Sequence, residues 1–343
     1  MLQSNAGMNS VRLQPPGRAA MLRSAIQALA VLAIFSPVSA PAADEYPQRP
    51  IRMLVGFAAG GPTDQAARIV AEAMSRSLGQ PVVVENRPGA NSMIAARALV
   101  SSKPDGYTVL LASNGVLTVA GARYKEMPFD VRRDFTPVGS VAGYSHVLVT
   151  APDKAPASLV ELISRAKSSN KPLTIASVGH VDELTIALFH KLTGVPLDII
   201  PYKGQSAVLS DLMTGRVDVA FLAPTVAKPQ IAAGKLAPIA VTGRQRVTGL
   251  PDVPPIQEAG VPGFEMEIWN ALMVPTGTPA PVADTLAKSL HAALEEQSVR
   301  DKLEFSGLVA LPDTPSALAA KIDTEGQKWK KLAEEENLPL VDF

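Results

Sequence analysis

The chain has 343 residues, 47% of them hydrophobic, with 32 basic residues balanced by 32 acidic ones and no cysteine. That length can build two domains with cores of their own, and the even charge balance leaves no basic stripe for a nucleic-acid partner. The absence of cysteine excludes disulfides, thiol chemistry, thiolate metal sites and a lipidated-cysteine anchor.

Residues 1–42 carry Arg12, Arg18 and Arg23 and no acid, and an apolar run extends from Ala25 to Phe35. A run that short does not span a bilayer, and small residues follow it, so a cleaved secretory signal is expected. Ala40-Pro41-Ala42 fits the A-x-A cleavage pattern and puts the cut after Ala42. A cut after Ala40 would leave Pro41 at the +1 position. Starts at Met8 or Met21 would keep a workable signal. Loss of three arginines leaves 29 basic residues against 32 acidic ones, a net charge of −3. The mature protein is expected free in the periplasm of a Gram-negative host.

The remainder alternates β-rich runs with amphipathic helical stretches, which predicts an α/β fold with parallel sheets. Strands are expected at 51–55, 81–85, 107–112, 147–150, 173–177, 198–201, 217–221 and 238–242. Between them, helices are expected at 63–78, 91–101, 159–167, from about 182 to 192, and at 206–214. Ser158 and Glu161 form a capping box ahead of the 159–167 helix. After Pro279 the chain reads as mainly helical, and the last helix, 316–335, carries Leu318, Ile322, Trp329 and Leu332. No internal repeat or low-complexity run interrupts the pattern. The expected division is one lobe from 45–146 plus 243–343 and a second from 147–242. Two crossing strands near His146 and Thr242 would then serve as a hinge, with ligand held between the lobes at the carboxyl ends of the strands.

The stretch richest in functional information is Ile51 to Asp64, where an apolar strand runs into Gly60-Gly61 and a helix opens directly behind. A helix start points unpaired N–H groups and the positive end of its dipole at one spot. A small anion, above all a carboxylate, is the expected guest.

The ordered motifs at 56–64, 85–90 (E-N-R-P-G-A), 104–108 (P-D-G-Y-T), 202–204 (Y-K-G), 215–218 (G-x-V-D) and 250–260 resemble those of the substrate-binding receptors of tripartite tricarboxylate transporters, the TctC or Bug family. The match covers nearly all of 45–343. The resemblance implies a two-lobed, type II-like Venus-flytrap fold of the periplasmic-binding-protein kind. It also implies a receptor, expected as a monomer without cofactor, that closes on a small carboxylate and hands it to membrane permease subunits. Relative to the family pattern, Gly56 and Ala59 stand where prolines are usual, and Pro62 replaces a small residue and removes one donor.

The candidate ligand-binding set follows from these readings. Gly60 and Gly61 allow close backbone approach and φ > 0, with Ala59 and Thr63 beside them. Phe57 is either core or cleft wall. Asp64, in the first helical turn, offsets the dipole and suits a supporting role better than contact with an anion. Ser113 and Asn114, after a strand, can donate to a carboxylate, although a plain turn would look the same. Ser177-Val-Gly-His-Val-Asp-Glu183 departs most from the family, whose longer Gly/Ser/Thr-rich loop donates to ligand. Here Asp182 and Glu183 either cap the helix or select a ligand bearing an amino or amide group, an amino acid or nicotinamide-like compound. His180 could join that group or simply pack. Phe221-Leu222-Ala223-Pro224 is expected to border the cleft with an apolar wall. Lys203 could place a cation at the mouth, and Trp269 is expected to pack in a core.

No G-x-S-x-G elbow, P-loop, H-E-x-x-H or G-x-G-x-x-G motif is present, and His146, His180, His190 and His291 show no ligand spacing except for His180 and His190, ten apart. No catalytic residue is assigned, although Ser113, His146 and Asp182 are the types of a triad. The alternatives to a transport receptor are a sensor that signals occupancy to a membrane partner, or a hydrolase or lyase using the anion loop.

Overall fold

The computed structural model describes residues 46–342. The expected export signal over 1–42, with its cut after Ala42, lies outside the described residues. In chain order the strands are β1 (Ile51–Val55), β2 (Val82–Asn86), β3 (Thr108–Ser113), β4 (Phe135–Tyr144), β5 (Val147–Thr150), β6 (Leu173–Ser177), β7 (Leu197–Pro201), β8 (Val219–Leu222), β9 (Ala237–Val241), β10 (Ile268–Pro275) and β11 (Val309–Ala310). The main helices are α1 (Pro62–Leu78), α2 (Met93–Val100), α3 (Leu159–Ser168), α4 (His180–Thr193), α5 (Gln205–Met213), α6 (Pro224–Ala232), α7 (Ala280–Glu295), α8 (Gln297–Phe305) and α9 (Pro315–Glu335).

Two sheets result, a six-stranded one ordered β11-β4-β10-β3-β1-β2 and a five-stranded one ordered β7-β6-β8-β5-β9. Both are mixed, not parallel as the alternating pattern predicts. β1 runs parallel to β2 and β3, but β10 is antiparallel to β3 and β4. Likewise β6 is parallel to β7 and β8, whereas β5 is antiparallel to β8 and β9. β5 and β10 are the strands by which the chain enters each sheet from the other, so they run against their neighbours. As a result, the ends of β1, β3, β4, β6 and β8 and the starts of β5 and β10 come to one region.

Local sequence accounts for the elements. α1 starts with Pro62 at its first turn and Asp64 just behind, and ends at Gly79 in a left-handed conformation. Its buried face, Ala66, Val70 and Met74 among others, packs on α7 and β2. β4 and β10 escape a sequence reading for opposite reasons. β4 contains Pro137, Gly139 and Gly143, poor strand formers. A Cβ on Gly143 would lie 2.9 Å from Leu311 Cδ1, so α9's leading loop approaches too closely for a larger residue. β10 is buried at all eight positions and shows no alternation. α6 is masked by Pro229 in its interior. α4 opens at His180, two residues before the expected start, because Gly179 turns at φ +88.

α9 serves both cores. Leu318 and Ile322 pack with Trp269, while Trp329 and Leu332 join Phe189, Phe221 and Phe264. Trp269 is a core residue, fully buried, with its indole N–H donating to Glu325 at 3.0 Å.

Candidate ligand-binding cavity

The loop behind β1 is built around Asp64. Asp64 Oδ2 accepts from the Gly60 backbone N–H at 2.9 Å and from Arg68 Nε at 3.0 Å, while Oδ1 accepts from Asn86 Nδ2 at 2.8 Å. Burial alone would raise its pKa, but these bonds outweigh it and hold the carboxyl below its usual range. Gly60 sits at φ +89, a conformation that favours glycine, whereas Gly61 is extended at φ −76. The expectation of positive φ therefore holds for one glycine of the pair. Gly56 is demanded by a neighbour: a Cβ there would fall 1.5 Å from Ser92 Oγ.

Behind this loop lies a cavity of about 400 Å³ lined from both sheets. Four helices begin on its wall: α1 with Gly61, Pro62 and Thr63, α4 with His180, Val181 and Asp182, α5 with Gln205 and Ser206, and α6 with Ala223 and Val226. None of the four cap residues, Gly61, Gly179, Gly204 and Ala223, supplies a capping side-chain bond. Their first-turn amides and dipoles therefore face the cavity with little side-chain competition. No Lys or Arg lines it, and its single carboxylic acid is Asp182. A second cavity of about 460 Å³ lies beside Trp329, but its charged walls pair with one another, as in Arg244 with Glu265 at 2.6 Å.

The polar side chains of the wall are tightly held. Thr63 Oγ1 donates to Asn270 Oδ1 at 3.1 Å, and Asn114 Nδ2 donates to the Glu267 carbonyl at 3.0 Å. Asn114 Oδ1, His146 Nδ1 and His180 Nε2 are buried without a hydrogen-bond partner among the described residues. Asp182 is 3% exposed and its Oδ2 accepts from the Val178 N–H at 2.8 Å. Its Oδ1 lies 3.5 Å from His146 Nδ1. Burial pushes the Asp182 pKa up to about 8 against that one N–H, and burial pushes His146 down to about 4. The two groups thus favour their neutral forms in the same enclosure.

Of the expected ligand residues, Phe57, Ala59, Gly61, Thr63, Ser113, Asn114, His180, Asp182 and Ala223 all line this cavity. Gly60, Asp64 and Ser177 do not. Gly60 spends its N–H on Asp64, and Ser177 is the buried end of β6, its carbonyl accepting from Tyr202. The acidic pair also separates. Glu183 turns to Arg123, at 2.8 Å, and to His180 Nδ1, at 2.9 Å, leaving Asp182 alone on the wall. Phe221 and Leu222 belong to cores and Lys203 is not on the wall. Ser113, His146 and Asp182 do meet the same cavity, yet no hydrogen bond joins Ser113 Oγ to His146 among the described residues. Sequence reasoning missed Asn91, Tyr144, Gln205, Ser206 and Ile268 as wall residues. Gln205 and Ser206 follow the Tyr202-Lys203-Gly204 motif and open a helix, a signal available in advance. Tyr144 and Ile268 lie on the two unforeseen strands.

The family described as "Tripartite tricarboxylate transporter family receptor" matches residues 66–338. The chain belongs to this family. Protein BugT of Bordetella pertussis is 35% identical over 319 residues, covering 91% of this chain and 98% of that one. Among solved structures, R. palustris Rpa4515 with adipate matches with a TM-score of 0.79 at 32% identity, over 87% of this chain and all of that one. The periplasmic binding protein BugD matches with a TM-score of 0.76 at 35% identity, over 86% of this chain and 100% of that one. The fold is the two-lobed α/β fold of periplasmic binding proteins, and the family is one of solute receptors.

Proposed function

We propose that this chain is a periplasmic solute receptor that binds a small carboxylate-bearing metabolite in the cavity and delivers it to a tripartite tricarboxylate-type permease. The observation that carries this reading is the convergence of four helix N termini on a cavity free of Lys and Arg. Oriented amides then do for a carboxylate what a fixed cation would do elsewhere. The adipate of Rpa4515 supports the same ligand class. A volume of about 400 Å³ suits a metabolite such as an amino acid or a nicotinamide-like acid.

Residues 45–146 plus 243–343 form one lobe in this reading, and 147–242 the other. His146 N–H donates to Thr242 Oγ1 and Thr242 N–H to the His146 carbonyl, both at 2.9 Å, so the crossing strands would flex as a tied pair. Ligand favours the closed form because amides from both lobes reach it only there. No catalytic step or cofactor enters.

Gly61→Val tests the site. A Cβ at Gly61 meets nothing closer than the Ala58 carbonyl at 3.7 Å, so the fold tolerates it while the added methyls enter the ligand space. Calorimetry with a carboxylate panel is expected to show binding to the wild type and a loss of about ten-fold or more in the variant. Unchanged affinity would reject the site.

A further inference from the structure

The wall of the cavity is unequal in its hydrogen-bonding character. At the α1 N terminus Pro62 has no N–H, and the Thr63 and Asp64 amides are the first-turn donors that remain. Just ahead of α4 and at the cap of α6, the protein's own acceptors have taken two backbone amides. Asp182 Oδ2 holds the Val178 N–H, and Gln205 Oε1 holds the Ala223 N–H at 3.0 Å. What this side offers a cationic ligand is acceptors, Asp182 among them once the counter-charge lets it ionise. Asp182 Oδ1 has only His146 Nδ1 at 3.5 Å, longer than a good N–H···O bond. Asn114, fully buried, has its amide nitrogen fixed on the Glu267 carbonyl and its Oδ1 unpartnered. His180 turns Nδ1 to the Glu183 carboxylate and keeps buried Nε2 without a partner, and the tautomer with its proton on Nδ1 offers Nε2 as an acceptor. All three residues line the one cavity, and Gly115, next to Asn114, packs against Val181, next to Asp182, where an added Cβ would lie 3.3 Å from Val181 Cγ2.

We propose that Asp182, Asn114 and His180 form an acceptor subsite that reads an ammonium or amide group on the far end of the ligand, so that the solute is a monocarboxylate bearing a donor group and not a dicarboxylate. A second carboxylate would meet one buried acid and no cation, whereas an ammonium gives Asp182 the counter-charge its enclosure lacks. The subsite rests on the receptor reading above, because the carboxylate end must sit at the α1 N terminus for the far end to reach α4.

The test is calorimetry of the purified protein with three matched series of about four to six carbons: ω-amino acids, dicarboxylates and plain monocarboxylates. The wild type is expected to bind an ω-amino acid about ten-fold or more tighter than the dicarboxylate of equal length. Asp182→Asn, which keeps an acceptor for the Val178 N–H, is expected to erase that preference. Equal or tighter dicarboxylate binding by the wild type overturns the subsite without reference to any variant, as does an unchanged preference in Asp182→Asn. If no member of any series binds, the receptor reading itself fails and the subsite falls with it.

Discussion

Asp182 and Asp64 are both first-turn carboxyl groups, at 3% and 2% exposure, and their surroundings drive them in opposite directions. Asp64 collects Gly60, Arg68 and Asn86 as donors and stays ionised, bracing the loop behind β1. Asp182 has a single backbone donor, and burial raises its pKa to about 8. A carboxyl raised in the folded state adds stability that is complete below its unfolded pKa and is lost as pH rises through the folded value. Ligand-free Asp182→Asn is therefore expected to gain melting temperature over the wild type across a window from about pH 4 to about pH 8, levelling off above it. The gain at the plateau is expected to reach roughly 3 °C or more. Thermal melts of both proteins across that range check it, and a difference that stays flat or reverses would show Asp182 ionised at no cost.

At the level of elements, the helices and most strands were legible because their periodicity and caps are local: Pro62 and Gly79 bracket α1, and Ser158 with Glu161 opens α3. β4 and β10 were not, since one is tuned by glycines to the approach of Leu290 and Leu311 and the other is buried on both faces. The cavity residues on those strands, Tyr144 and Ile268, were lost with them. The loops that follow predicted strands were legible as converging, which is why nine of the expected residues line one cavity. The division of labour between Asp182 and Glu183 was not, because it depends on Arg123, 60 residues away in the chain. Arg123 is buried and ties the segment after β3 to α4 through Glu183 and to the chain end through the Pro339 carbonyl. Arg123→Ala would leave a half-buried Glu183 without its cation. A stability loss of about 2–4 kcal/mol is expected in denaturant unfolding. A loss under about 0.5 kcal/mol would mark the pair as incidental.

For the whole molecule, the two sheets exchange chain at 145–146 and 242–267 among the described residues, while the pairing of His190 with Glu336 at 2.6 Å and a shared apolar cluster bind the second sheet's α4 to α9. The closure proposed for this receptor has to accommodate that tie, which favours rotation about the His146–Thr242 pair over separation of the sheets. The cavity sits beside this crossing, so His146 belongs at once to the crossing and to the cavity wall. Occupation of that wall by a small acid is the central claim. Native mass spectrometry tests it most directly, on wild type and Gly61→Val purified without denaturation and exposed to a small-carboxylate library. A bound-acid adduct is expected on the wild type and not on the variant. The same adduct on both proteins, or none on either, would contradict the claim.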